Sequence, residues 1–145
     1  RMRGRARQII GVDGSPRMLE LSGGGLPGWK GNPGVSLRIG ELSHLPLRDC
    51  EADFASINMV LHHLSNPENA LAEIRRVLRS GGLLVVADFD RHTQERMRLD
   101  YGDLWLGFDE ATMARLLHAA SFEVVHYPYP VEQGLALNLT LARRL

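Results

Sequence analysis

Two acidic residues follow predicted strand ends in this sequence of 145 residues and could bind a nucleoside. Asp13 comes directly after the apolar segment 8–12, and Glu41 follows the segment 35–39 after a single glycine. A carboxylate just past a buried strand can accept hydrogen bonds from ribose hydroxyls or from an adenine amine. Ligands of open α/β sheets lie at the carboxyl ends of the strands. The sequence therefore predicts a nucleoside site at Asp13 and Glu41.

The adjacent residues His62 and His63 carry two further side chains with metal-binding or proton-transfer chemistry. Neighbouring side chains diverge on a helix or a strand. No Cys, His or Asp supplies a third ligand at a recognised spacing from the pair. The pattern therefore predicts no metal site, and it leaves a pocket-lining role and a polar cap on the following helix as alternatives.

The composition argues against a nucleic-acid or membrane partner. The chain has 17 basic and 17 acidic residues, so no general attraction to phosphate backbones is expected. The basic run at Arg1, Arg3, Arg5 and Arg7 is interpreted as the solvated end of a helix. No segment has the length of a membrane span, and no signal peptide is visible. The single Cys50 excludes an intramolecular disulfide and indicates a reducing compartment, so we expect a cytoplasmic protein.

Apolar segments and capped segments alternate along the chain. The predicted strands are 8–12, 35–39, 52–59 and 83–87. Helices are predicted to begin at Ser15, Asn66 and Asp109, whose residue types cap helix N-termini. Glycines within 80–82 are predicted to end the second helix. The alternation indicates an α/β fold with a mostly parallel sheet, in which 8–12, 52–59 and 83–87 share one sheet.

The remaining segments complete the predicted domain, which spans residues 1–145. Segment 22–34 is rich in Gly and Pro and is predicted to be a loop. Segment 91–106 is predicted to be a polar, helical insertion. The segments 122–129 and 135–143 are predicted to form an antiparallel strand pair. The core-facing residues of the last helix are expected to be Met113, Leu116 and Leu117.

Four segments resemble successive signatures of one enzyme family. They are IGVDGSPRML at 10–19, GELSHLPL at 40–47, NMVLHHL at 58–64 and EIRRVLRSGG at 73–82. Their order resembles class I S-adenosylmethionine-dependent methyltransferases of the methyltransferase type 11 kind, over residues 8–144. The resemblance implies a Rossmann-like, mostly parallel sheet with a C-terminal antiparallel strand pair. It also implies S-adenosylmethionine as the cofactor.

The resemblance assigns cofactor-binding roles to residues at or near the strand ends. These are Asp13, Gly14, Met18, Glu41, Leu42, Asn58 and Met59. Asp13 would hold the ribose hydroxyls, and Glu41 would lie near the adenine amine, where family members more often have Asp. Gly14 stands where an apolar residue commonly packs on adenine, so Met18 and Leu42 would supply that packing. Helix core is the alternative for Met18. Asn58 and Met59, at the end of the third predicted strand, would line the methionine part of the cofactor.

The resemblance also implies where a small-molecule acceptor binds. A sulfonium methyl group is already activated, so the enzyme mainly aligns the nucleophile and excludes water. A general base is needed only if the nucleophile enters protonated, and the candidates are His62, His63 and His92. The family places the histidine pair beside the transferred methyl. Segment 101–108 resembles one found in members linked to ArsR-type transcription regulators, where it covers the acceptor side. A surface helix docked on the sheet is the alternative.

The glycine-rich loop of this family is not found before Asp13. The glycines of 23–25 follow Asp13 and are interpreted as a flexible linker. Because that loop follows the central strand in the family, we expect a gap between the strands that end at Asp13 and Met59. This expected gap has three explanations. The loop and its strand could lie in an upstream segment, or a second copy could supply an element by exchange within a homodimer. Alternatively, the sheet could close differently in a cofactor-free protein. The 145 residues alone are expected to be inactive and to associate through open strand edges.

Two functions follow from these patterns. The first is S-adenosylmethionine-dependent methyl transfer to a small-molecule acceptor. The alternative is a non-catalytic, methyltransferase-like domain that serves as a scaffold or binds a partner. Cofactor binding distinguishes the two, because a degenerate domain should show none.

Overall fold

The computed structural model describes residues 6–25, 34–126 and 136–145. The chain divides into two compact units, Arg1–Pro46 and Leu47–Leu145, called the first and second unit below. The single domain expected over the whole chain stays a prediction. Residues 1–5 of the basic run, residues 26–33 of the predicted Gly- and Pro-rich loop, and the connection between the two predicted C-terminal strands lie outside the described residues. Within those ranges, no helix is long and apolar enough to cross a membrane.

The first unit has a β–α–β order. Its elements are β1 (Ile9–Asp13), α1 (Pro16–Gly25) and β2 (Val35–Ile39). The strands pair in parallel, with Asp13 opposite Ile39 at their carboxyl ends. Helix α1 begins as predicted at Ser15, whose Oγ accepts a hydrogen bond from the backbone N of Met18 at 3.4 Å. The predicted strands and the helix start of this unit are therefore confirmed.

Helix α1 continues through residues 22–25, where the sequence predicted a loop with a flexible glycine linker. That part of the prediction is wrong. Each glycine costs about 1 kcal/mol relative to alanine inside a helix, which weakens the last turn without forbidding it.

The second unit contains a four-stranded sheet in the order β3-β4-β6-β5. The strands are β3 (Ala52–Asn58), β4 (Leu78–Phe89), β5 (Phe122–His126) and β6 (Leu137–Arg144). Strands β3 and β4 are parallel, whereas β6 is antiparallel to both β4 and β5. This mixed α/β architecture confirms the predicted fold class, including the C-terminal antiparallel strand pair at one edge.

The predicted common sheet for segments 8–12, 52–59 and 83–87 is not what the described strands form. Strand β1 pairs with β2 in a two-stranded sheet, and β3 pairs with β4 in the four-stranded one. Parallel strands share a sheet only through a continuous hydrogen-bond ladder. Among the described strands no ladder joins β1 to β3, so the predicted place of 8–12 in this sheet is wrong, whereas the parallel pairing of 52–59 with 83–87 is confirmed.

Two longer helices cover the sheet of the second unit. Helix α2 (Pro67–Val77) begins at Asn66, whose side chain accepts from the backbone N of Asn69 at 3.0 Å. Helix α4 (Glu110–Ala119) begins at Asp109, whose Oδ1 accepts from the backbone N of Thr112 at 2.8 Å. Both predicted caps are confirmed.

The buried core includes Leu71, Ile74, Leu84, Val86, Met113, Leu116, Leu117 and Phe122.

Helix α2 ends at Val77, before the glycines that were predicted to stop it. Leu78 is fully buried and already extended, and it pairs with Ala52 at the start of β4. The register then shifts, so that Phe54 lies opposite Leu83 and the intervening residues bulge from the ladder. A Cβ on Gly82 would come within 2.8 Å of the Arg79 carbonyl oxygen. Position 82 therefore requires glycine because the backbone approaches closely there, and not because a helix ends there.

Segment 91–106 is helical only over α3 (Arg96–Tyr101). Gly102 ends this helix in the left-handed conformation, with φ of 74°. The following loop is fixed by hydrogen bonds from the backbone N of Leu104 and of Trp105 to the carbonyl oxygen of His62, at 2.9 and 3.0 Å. The predicted long helical insertion is therefore wrong, because tertiary hydrogen bonds replace helical ones after Gly102.

Candidate functional site

The first unit places two of the predicted cofactor residues at adjacent strand ends. Asp13 ends β1 and Glu41 follows β2, and the backbone N of Gly40 donates to the carbonyl oxygen of Asp13 at 3.2 Å. Asp13 is half-buried, and its Oδ1 accepts from the backbone N of Ser15 at 2.8 Å. Within the described residues no hydrogen bond to Oδ2 is present. This oxygen remains able to accept a hydroxyl donor.

Most of the other predicted residues of the first unit are exposed. Met18 is 50% exposed, which disagrees with the alternative that it is an ordinary core residue of α1. Gly14 and Glu41 are exposed, and Leu42 is half-buried. A Cβ on Gly14 would meet only the carbonyl oxygen of Gly40 at 3.8 Å, so no close approach requires glycine here.

The third strand end turns sharply at Met59. Its φ is 53°, in the left-handed region that residues other than glycine rarely adopt. Its backbone N donates to the carbonyl oxygen of Ala87 at 2.8 Å, which ties the turn to β4. Backbone strain of this kind clusters at functional sites and costs about 1–3 kcal/mol. The neighbouring Asn58 is exposed, and its Nδ2 donates to Ser56 Oγ at 3.0 Å.

A buried carboxylate orients the first of the two histidines. Asp88, at the end of β4, is fully buried. Its Oδ2 accepts from the backbone N of Leu61 at 2.9 Å, and its Oδ1 accepts from that of Phe89 at 2.8 Å. The same Oδ1 lies 2.7 Å from Nδ1 of His62, which is 3% exposed. Because an ionised carboxylate only accepts, Nδ1 of His62 is the donor in this contact, and Nε2 is the ring nitrogen left to face another partner.

Asp103 completes a cluster that sequence spacing did not indicate. Its Oδ1 lies 3.8 Å from Nε2 of His62 and 3.6 Å from Nδ1 of His63. The His62 and His63 ring centroids lie 4.1 Å apart. The expected divergence of the two side chains is therefore wrong, because both rings turn toward the same carboxylate. Asp103 gave no local signal in the sequence, since its burial depends on the loop after α3.

A cavity of about 250 Å³ opens beside this cluster. It is lined by Met59, His62, His63, Phe89, Met97, Tyr101 and Asp103. The predicted methionine-side residue Met59 and the histidine pair therefore share one cavity. Tyr101 and Asp103 come from the segment that was expected to cover the acceptor side.

His92 lies at a different cavity. That cavity has a volume of about 400 Å³, and Arg91, Arg98, Trp105 and Asp109 are among its other lining residues. Hydrogen bonds from Thr112, together with one from the Arg91 guanidinium, lower the pKa of Asp109 to about 2. The structure thus brings together two of the three candidate bases, His62 and His63, and separates His92 from them.

The Phe89 ring lies next to the histidines of both cavities. Its centroid is 5.0 Å from that of His62 and 5.5 Å from that of His92.

The chain resembles known proteins in sequence and in fold. Residues 1–86 match a family model described as a methyltransferase domain. The chain is 38% identical over 97 residues to an uncharacterized 37.1 kDa protein in transposon TN4556 of Streptomyces fradiae, which covers 67% of this chain and 26% of that protein. It is 28% identical over 144 aligned positions to a demethylmenaquinone methyltransferase of Desulfitobacterium hafniense, which covers 92% of this chain and 54% of that protein. The chain thus spans about half or less of these relatives.

The fold comparison agrees with the sequence comparison. A SAM-dependent methyltransferase from Methanosarcina mazei superposes with a TM-score of 0.76 at 18% identity, over 95% of this chain and 82% of that chain. A match at this identity shows the fold alone, whereas the family model covers more than half of the sequence. The chain therefore belongs to the class I S-adenosylmethionine-dependent methyltransferases.

Proposed function

We propose that this protein transfers the methyl group of S-adenosylmethionine to a small-molecule acceptor bound in the cavity of the second unit. The observation that carries the proposal is the shared lining of that cavity. Met59, at the strand end that the family motif assigns to the methionine part of the cofactor, lines it together with His62 and His63.

The residues of the first unit fit the nucleoside part of the cofactor. The Oδ2 of Asp13 can accept a hydrogen bond from a ribose hydroxyl. Met18 offers an exposed apolar side chain for the adenine ring, and Glu41 offers an exposed carboxylate for its amine. When bound, S-adenosylmethionine supplies a methyl group that needs no further activation.

The lining of the cavity favours an acceptor with an apolar, aromatic body. Met59, Phe89, Met97 and Tyr101 present thioether and ring surfaces, on which a flat ring can stack. A volume of about 250 Å³ lies just below the usual range of ligand pockets, roughly 300–1,000 Å³, and so limits the acceptor to a small molecule. One relative is named a demethylmenaquinone methyltransferase, which supports a quinol-like or phenolic acceptor for this chain.

His62 is the best-placed general base for an acceptor that enters protonated. Its Nε2 is free of the Asp88 hydrogen bond, and its ring lines the cavity. His63 is the second candidate. His92 could act only on a ligand of the other cavity.

Alignment and exclusion of water remain the main requirements of methyl transfer. The segment 101–108 contributes Tyr101 and Asp103 to the cavity wall, which supports its proposed place on the acceptor side. Its likeness to members linked to ArsR-type regulators stays a prediction. A cytoplasmic location is supported by Cys50, an exposed free thiol.

The proposal is tested by methyl transfer from radiolabelled S-adenosylmethionine to a panel of phenols and quinols, with the full-length gene product. Met97→Trp would fill the cavity, whereas Leu99→Trp adds the same ring at an 86% exposed position of the same helix. We expect Met97→Trp to lower kcat/KM for the acceptor about tenfold or more, with unchanged cofactor affinity. Equal rates in the two variants would place the acceptor elsewhere. A wild-type protein that binds no S-adenosylmethionine would instead favour the non-catalytic alternative.

A further inference from the structure

We propose that His62, His63 and Asp103 form a binding site for a divalent transition-metal ion, such as Zn²⁺, Co²⁺ or Fe²⁺. The three side chains offer two imidazole nitrogens and one carboxylate oxygen, and these ligand atoms all lie within 4.8 Å of one another. The site does not depend on the proposed methyl transfer, because it rests on the geometry of the second unit alone.

Two of the three distances between ligand atoms approach those around a bound ion, and the third is at most 4.8 Å. Tetrahedral zinc with bonds of about 2.0–2.1 Å to nitrogen and oxygen places its ligand atoms roughly 3.4 Å apart. Here Oδ1 of Asp103 lies 3.6 Å from His63 Nδ1 and 3.8 Å from His62 Nε2. Both distances exceed hydrogen-bond length, so direct hydrogen bonds do not hold the cluster together, and an ion pair would require a protonated imidazole.

The surroundings of the Asp103 carboxylate point independently to a cation-binding role. The residue is 3% exposed, and neither carboxylate oxygen has a hydrogen-bond partner within the described residues. A buried carboxylate that accepts no hydrogen bond is strongly unfavourable unless a cation or a donor reaches it. A metal ion between Asp103 and the two imidazoles would remove that cost.

The Asp88 carboxylate prepares His62 for this role. Metal-binding histidines almost always donate their other ring N–H to a carboxylate, a carbonyl or water, which fixes the tautomer and directs the free nitrogen toward the ion. The 2.7 Å contact of Asp88 with Nδ1 of His62 is such an arrangement. Nε2, the remaining ring nitrogen of His62, is the one that faces Asp103.

The ligand types also select the class of ion. Imidazole suits Zn²⁺, Co²⁺, Fe²⁺ and Ni²⁺, whereas Mg²⁺ and Ca²⁺ prefer sites made of oxygen atoms. Three protein ligands leave at least one position for water or for a ligand in the adjoining cavity. A bound ion would occupy Nε2 of His62, so a metal site and a general-base role for His62 are alternatives.

The test is a metal titration of full-length protein, purified without a histidine tag and freed of metal with a chelator. Calorimetry with Zn²⁺ and visible absorption with Co²⁺ are expected to show one high-affinity ion per chain. His63→Gln and Asp103→Asn are each expected to weaken binding at least tenfold, and Asp88→Asn about 10–100-fold. Two matched controls, His118→Gln and Asp100→Asn, change exposed residues outside the cluster and should leave affinity unchanged.

Circular dichroism of each variant separates a lost ligand from a lost fold. The His63 side chain is 43% exposed, so His63→Gln should fold normally. If Asp103→Asn does not fold, His63→Gln alone decides whether the cluster binds the metal ion. Mg²⁺ and Ca²⁺ should not compete. The proposal is overturned if wild-type protein binds neither Zn²⁺ nor Co²⁺, or if binding survives both His63→Gln and Asp103→Asn.

Discussion

The Asp88 carboxylate and the His62 imidazole form a buried pair, with Oδ1 2.7 Å from Nδ1. The same carboxylate accepts hydrogen bonds from the backbone N of Leu61 and of Phe89. It thereby joins the end of β4 to the turn that carries both histidines. Asp88 positions the histidine pair, whichever ligand the adjoining cavity receives.

Replacing Asp88 by alanine should destabilise the protein. The variant leaves one buried backbone N–H, one part-buried backbone N–H and one buried ring N–H without acceptors, so we expect the free energy of unfolding to fall by about 2–4 kcal/mol. Urea denaturation followed by circular dichroism measures this change. Asp100→Ala, at an exposed helix position, should stay within about 0.5 kcal/mol of wild type. Similar losses in both variants would show that the Asp88 hydrogen bonds contribute little.

Replacing Asp13 by alanine should weaken binding of S-adenosylmethionine. A hydrogen bond to a charged group contributes about 1.5–3 kcal/mol, which corresponds to roughly 10–150-fold in affinity. Isothermal titration of the full-length protein with S-adenosylmethionine gives the value, and Asp100→Ala again serves as the control. An Asp13→Ala protein with wild-type affinity would remove this carboxylate from the cofactor site.

The cap of α4 should make stability depend on acidic pH. The pKa of Asp109 is lowered to about 2, first by hydrogen bonds from Thr112 and then by Arg91. Because the unfolded value is about 3.9, this contribution is present above pH 4 and is lost as pH falls toward 2. Asn caps helices nearly as well without titrating. Asp109→Asn should therefore lose less stability than wild type between pH 4 and pH 2, as measured by thermal unfolding. Parallel pH profiles of the two proteins would show that the ionised Asp109 cap does not contribute to the pH dependence.

Two glycines with nearly the same backbone conformation should differ in their tolerance of alanine. Gly102 and Gly107 have φ of 74° and 76°, so alanine at either position would incur the left-handed penalty of about 1–2 kcal/mol. A Cβ on Gly102 meets nothing within 4 Å, whereas one on Gly107 would overlap the Asp90 carbonyl group. We expect Gly107→Ala to cost about 1–3 kcal/mol more than Gly102→Ala in chemical denaturation. Equal costs would show that the loop around Gly107 relaxes freely.

Features that are encoded within a helical turn or a single strand could be predicted from the sequence. The caps at Ser15, Asn66 and Asp109 were correct, because a cap is a hydrogen bond between residues two or three positions apart. The strands and the family signatures were found for the same local reason. The sequence by itself therefore determined the fold class, the family and the acids at the strand ends.

Tertiary structure decided the features that depend on partners distant in the chain. Helix α2 gives way to β4 at Leu78 because this side chain is buried and pairs with Ala52, which no local glycine signal encodes. Asp103 meets His62 and His63 only because the loop after α3 hydrogen-bonds back to the histidine turn. Burial and the distances between charged groups arise from the packed chain, so the candidate metal cluster could be recognised only in three dimensions.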